Sequence, residues 1–318
     1  MTAGRLRGER APAALLALVV LALIGVAVIV ARVNVWALDE TVIKQSAMHY
    51  TSDLPHSLLH DINARGTSRA YSLLISPLFR AFDGYPAVQL SHIVNVVLWL
   101  TVFFPVGMIA RRLGTSRLLA SVAGALAVTV PWLAIASVLY TENLAYPAFV
   151  WAAWAVLMAL WQPAPWRDAL ALAFIGLALV GRVQLAPLLL AYWLCIAVVG
   201  LTGPRRLLFG RRVARLYPLS AVACVFAVLY LAHLVLSGGL HARVTSLLGS
   251  YAEIQNRAIV PSDYVRGLLV AFLALGVGVG ILPGAIALDW VRQVFSRGVA
   301  ALEKRIFAGF AVAASLAV

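Results

Sequence analysis

Residues 11–31 read Ala11-Pro-Ala-Ala-Leu-Leu-Ala-Leu-Val-Val-Leu-Ala-Leu-Ile-Gly-Val-Ala-Val-Ile-Val-Ala31, 21 residues without a charge. At about 1.5 Å per residue such a helix reaches roughly 30 Å, the thickness of a hydrocarbon core. Arg5, Arg7 and Arg10 precede it as they would a secretory leader, but the run exceeds the roughly 7–15 apolar residues of a leader and further runs follow. It is therefore read as an uncleaved first transmembrane helix. Runs of similar character recur near 86–110, 118–139, 143–161, 183–200, 217–236 and 267–288. Composition agrees: 63% of the 318 residues are hydrophobic, only 12% are charged, and the mean hydropathy is +0.94, against about 25% charge in an ordinary soluble domain. The expectation is an all-α polytopic membrane protein, one transmembrane domain over 1–318 with no separate soluble domain.

One run is short. Residues 168–180 would reach only about 20 Å as a helix, so they are expected to stop at Gly181-Arg182 and hairpin back, giving eight spans from the runs named. Ala311-Val-Ala-Ala-Ser-Leu-Ala-Val318 begins a ninth, so a C-terminal truncation is expected. With the N-terminus cytoplasmic, most basic residues fall inside, including the five arginines Arg205, Arg206, Arg211, Arg212 and Arg215. A single crossing over 168–200 would put those five outside, against the positive-inside bias. Eight of the 12 carboxylates then lie outside: Asp39, Glu40, Asp53, Asp61, Asp83, Glu142, Glu253 and Asp263.

The net charge of +13 comes from arginine and lysine clustered between apolar runs, where they orient helices and meet anionic headgroups, so nucleic acid is not an expected partner. Cys195 and Cys224 both sit inside apolar runs and imply no disulfide framework. The first outer loop, 32–85, is longer than a plain connection. Its Leu54, Leu58, Leu59 and Ile62 recur at helical spacing beside His56, His60 and Asp61, the pattern of an interfacial helix with one wet face. A second helical segment runs through Tyr71, Leu74 and Leu78 before Asp83-Gly84 turns the chain.

Three outer turns carry candidate chemistry: Trp36-Ala-Leu-Asp39-Glu40 after the first span, Tyr140-Thr-Glu142-Asn143 between the third and fourth, and Arg182 at the short hairpin. A carboxylate can take the proton of an acceptor hydroxyl as that oxygen attacks an anomeric carbon. An arginine can stabilise a departing phosphate as its charge grows. Each feature also has a plain reading: a solvated helix end, a turn cap, a guanidinium reaching for headgroups.

In order and topology these features resemble the GT-C superfamily of polyprenyl-phosphate-sugar-dependent glycosyltransferases, which includes protein O-mannosyltransferases and the lipid A aminoarabinose transferase. The likeness runs from Asp39-Glu40-Thr41 through Tyr71-Ser-Leu-Leu-Ile-Ser-Pro77, Arg111-Arg112-Leu113-Gly114, Pro131 and Leu139-Tyr-Thr-Glu-Asn143 to Gly176-Leu-Ala-Leu-Val-Gly-Arg182. It implies a GT-C-like helical bundle in the plasma membrane, and transfer with inversion from a polyprenyl-monophosphate sugar to a protein, lipid or glycan hydroxyl at the extracytoplasmic face. Asp39 would be the base, with Glu40 and Glu142 as supporting acidic contacts. Arg182 would bind phosphate, and Tyr71, Tyr140 and Asn143 would line the substrate site. Relatives place a basic and then an aromatic residue two and three positions beyond the Glu, where this chain has Val42 and Ile43; Lys44 is the candidate substitute.

His49, His56 and His60 share the first loop with Asp53 and Asp61 and form a candidate divalent-metal cluster. The adjacent Asp-Glu pair resembles the metal-independent branch better, so no metal or other cofactor is expected. Two other classes stay open: a transporter or flippase of a lipid-linked or anionic solute, with Arg182 as anion site, and a non-catalytic GT-C-like scaffold. Gly276-Val-Gly-Val-Gly280 could break a helix as transporters do, although glycine also serves close helix packing. The Ala-, Val-, Leu- and Arg-rich composition is compatible with a GC-rich bacterial source.

Overall fold

The computed structural model describes residues 14–15, 17–22, 24–25, 47, 70–129, 132–182, 185–201, 209–239, 304 and 306–310. Asp39, Glu40, Lys44 and the three histidines of the first loop lie outside them. Every regular element among the described residues is helical: α1 (Ala70–Ala81), α2 (Tyr85–Thr101), α3 (Phe103–Arg112), α4 (Arg117–Thr129), a 3-10 turn (Trp132–Ser137), α5 (Glu142–Trp161), α6 (Pro165–Gly181), α7 (Pro187–Leu201), α8 (Phe209–Leu216) and α9 (Pro218–Leu236). Among the described residues, three stretches are long and apolar enough to cross a membrane: Tyr85–Arg112, Glu142–Trp161 and Pro218–Leu236.

Local chemistry sets the boundaries. Proline opens α6, α7 and α9 and is second in α2, positions whose N–H has no intrahelical acceptor to lose. Gly84 turns α1 into α2 with φ 60, and Gly114 closes α3 with φ 92, both in the left-handed region. Pro105 cannot donate to Thr101, and the long span is interrupted one residue later, at Val102. The expected span 118–139 is likewise two pieces: α4 stops at Thr129, ahead of Pro131, and the chain resumes as the 3-10 turn. The short run at 168–180 is α6, 17 residues long because Pro165 starts it early.

Small residues let the helices approach. Ala148, Ala152, Ala155 and Ala159 recur on one face of α5 and meet Ala171, Ile175 and Ala178 of the antiparallel α6 in the central core, which Leu188, Ala191, Tyr192 and Ile196 of α7 complete. A Cβ on Gly124 of α4 would sit 2.7 Å from the carbonyl oxygen of Phe103, so glycine is what allows α3 and α4 to close on each other. A second core joins Val96, Trp99 and Val102 to Val128, Ala136 and Val150.

One end of α6 holds a fully buried carboxylate, Asp168. Its Oδ1 accepts from the Tyr192 hydroxyl at 3.0 Å and from the Ser220 hydroxyl, and its Oδ2 accepts from the Ser220 backbone N–H at 2.9 Å. Ser220 is the third residue of α9, so Asp168 caps that helix from a distant part of the chain and favours it with negative charge at its N-terminus. Replacing Asp168 with alanine strands these buried donors, which should cost on the order of 1–3 kcal/mol of stability and lower the thermal unfolding midpoint of the purified protein. A thermal unfolding midpoint equal to the parent's would contradict the capping role.

Candidate functional site

The opposite end of α6 carries the candidate site. Arg182, the first residue beyond the helix, takes an extended backbone while its N–H donates to the Ala178 carbonyl at 2.8 Å. Glu142 is the first residue of α5, where a carboxylate complements the helix N-terminus. Because α5 and α6 are antiparallel, these two ends coincide, and the Arg182 guanidinium donates to Glu142 Oε1 in an ion pair across 40 residues of sequence. Glycine at 181 eases this close approach: a Cβ there would lie 3.1 Å from the Cα of Ala145, tighter than an ordinary van der Waals contact. Thr141 adds a hydroxyl that donates to Glu142 Oε2 at 3.2 Å. The pair is about one-third exposed, 29% for Arg182 and 35% for Glu142, so a solvent-borne or lipid-borne group can reach it.

The turn that presents Glu142 is fixed from beneath by a buried amide network. Tyr71 of α1 donates its hydroxyl to Asn95 Oδ1 at 2.6 Å. Asn95 Nδ2 donates to the carbonyls of Ala136 and Val138 at 3.2 and 3.3 Å. Asn143 Nδ2 donates to the same Val138 carbonyl at 2.7 Å, and Asn143 Oδ1 accepts from Trp99 Nε1 at 2.9 Å. Asn95, Asn143 and Tyr71 are completely buried and Trp99 almost so. Four segments, α1, α2, the end of the 3-10 turn and the start of α5, are thus tied at one place, and each polar atom named has a partner.

Glu142 and Arg182, predicted separately, are therefore brought together. Tyr140 stands half-buried in the same turn, its N–H donating to Val138 and its carbonyl accepting from Asn143 N–H. Tyr71 and Asn143, read from sequence as substrate contacts, have their polar atoms committed to interior bonds and act as supports for the turn. Asp39, Glu40 and Lys44 lie outside the described residues. Among the described residues no group of histidine, cysteine or carboxylate side chains is placed to hold a metal. Sequence reading passed over Asn95, Trp99 and Asp168. The available signal was polarity inside an apolar run, since an amide or carboxylate there must find a partner.

Arg182 and Glu142 are exposed enough for solvent to screen them, so a double-mutant cycle on Glu142→Gln and Arg182→Gln should give a coupling of about 0.2–1 kcal/mol in unfolding stability. Gly181→Ala should cost more, roughly 1–3 kcal/mol, by prising α6 from α5; a neutral Gly181→Ala with a coupling of several kcal/mol would reverse that ranking. The chain matches no protein-family model, no curated protein and no solved structure.

Proposed function

We propose that this chain is a polytopic plasma-membrane glycosyltransferase that moves a sugar from a polyprenyl-monophosphate donor to an acceptor hydroxyl at the extracytoplasmic face. The observation that carries the reading is the meeting of Glu142 and Arg182 at one end of the α5–α6 pair, with Arg182 held where a lipid-borne phosphate can approach. The Tyr71–Asn95–Asn143 network supports it by making the Glu142 turn rigid, as a preorganised electrostatic site requires.

In this mechanism the acceptor oxygen forms a bond to the anomeric carbon while the bond from that carbon to the phosphate oxygen breaks, inverting the centre. Asp39 takes the hydroxyl proton, and the electron pair of the broken bond leaves with the polyprenyl phosphate. Arg182 offsets the charge growing on that phosphate, through hydrogen bonds that strengthen as the bond breaks. Glu142 orients the guanidinium beforehand, Glu40 supports the base, and Lys44 gives a second cationic contact to the donor. The N-terminus is cytoplasmic, and the arginine-rich helix ends face the same side.

Asp39→Asn should lower transfer of a polyprenyl-phosphate-linked sugar by about 10²–10⁴-fold at matched expression; wild-type turnover would remove Asp39 from the chemistry. Vesicles that translocate the lipid-linked sugar without consuming it would instead support transport. Since the mechanism uses no metal, activity should be unchanged by EDTA, and a loss restored by Mn²⁺ or Mg²⁺ would bring the first-loop histidines into the site.

A further inference from the structure

The end of the bundle away from Glu142 and Arg182 has a different character. The Tyr217 hydroxyl at the α8–α9 corner donates to the Ala159 carbonyl near the end of α5. Ser220 is bonded to Asp168 at the start of α6, and the Arg112 guanidinium at the end of α3 lies 5.9 Å from the centroid of the Trp161 ring. These termini therefore form one face. Arg111, Arg112, Arg117, Arg167, Arg211 and Arg215 stand on it, while Asp168, the carboxylate described there, is buried and turned inward. Among the described residues at the other end, Arg80 and Arg182 stand with the carboxylates Asp83 and Glu142.

The face is also shaped for a boundary between polar and apolar media. On α8, Val213 and Leu216 pack onto the central core while Arg211 and Arg215, one helical turn apart, are exposed. Trp166 is 61% exposed and carries the Arg167 guanidinium 4.8 Å from its ring centroid. Leu118, Leu119 and Leu219, beside these arginines in the chain, are also exposed. A soluble polyanion would satisfy the arginines and leave this apolar surface in water. A phospholipid leaflet meets both needs, with phosphates for guanidinium groups and acyl chains for the leucines, and tryptophan favours the level between them.

We propose that this end of the bundle is a binding surface for anionic glycerophospholipid headgroups, with Arg211 and Arg215 on the phosphates and Trp166 at the boundary between headgroups and acyl chains. The surface rests on the membrane reading above and is independent of glycosyl transfer. The test is thermal unfolding of the full chain in neutral detergent, titrated with phosphatidylglycerol or with phosphatidylcholine as mixed micelles. Phosphatidylglycerol should raise the midpoint, phosphatidylcholine should not, and about 0.5 M NaCl should abolish the difference. The double variant Arg211→Gln/Arg215→Gln should need about 30-fold more phosphatidylglycerol for the same shift, roughly fivefold per arginine, whereas Arg80→Gln, an exposed arginine at the opposite end, should respond as the parent does. Equal response to the two lipids, an unchanged double variant, loss of response in Arg80→Gln, or heparin reproducing the lipid effect would each overturn the proposal. The lipid and salt comparisons on the parent chain stand even if the double variant does not fold.

Discussion

The close contact of α5 with α6 is the constraint on which the rest depends. Alanines on α5 meet Ala171, Ile175 and Ala178 with little side chain between the backbones, so the pair is held by many short van der Waals contacts. The same face of α6 carries Asp168 at one end and Gly181 at the other. One buried stripe therefore governs both ends of the molecule. Gly181 brings Arg182 to Glu142, and Asp168 seats α9 and, through the corner at Tyr217, the basic helix α8.

Buried polar groups set the geometry at each end. An amide or carboxylate removed from water costs several kcal/mol unless bonded, and in a lipid environment the reference state offers little relief. Asn95 and Asn143 converge on the Val138 carbonyl, and Asp168 takes two hydroxyls and a backbone N–H. Such clusters have few alternative arrangements that keep every partner, so they act as positional locks where apolar packing alone would tolerate sliding. The lock at Asn143 lies one residue from Glu142, which makes the turn a stiff platform for a partly exposed ion pair.

The two ends then differ in how charge is handled. Among the described residues at the Glu142 end, arginines are accompanied by exposed or half-exposed carboxylates, and one pair is engaged across the helix hairpin. At the α8 end arginines stand on successive helix termini with the carboxylate turned inward. Under the proposed membrane orientation, that contrast follows the positive-inside bias.

Much of this was legible in the chain as written. Among the described residues, the runs at 143–161, 168–180, 183–200 and 217–236 match α5, α6, α7 and α9 to within a few residues, because helix length and proline placement are local matters, whereas 86–110 is interrupted at Val102 and 118–139 includes a 3-10 turn; the helical segment through Tyr71 could be read from periodicity. Residues Glu142 and Arg182 stood out because charge beside an apolar run is rare enough to notice. Their mutual contact could not be read, since it depends on the antiparallel closure of α5 and α6 and on Gly181 lying against Ala145, a relation between surfaces. Nor could the interior roles of Tyr71 and Asn143: a polar residue near a turn looks alike in sequence whether it faces a ligand or the core. Sequence alone determined a helical, apolar chain with most of its charges at or beyond the ends of the apolar runs. Only the tertiary structure decided which polar groups pair and which are buried, because hydrogen-bond partners are chosen by three-dimensional proximity across helices far apart in the chain.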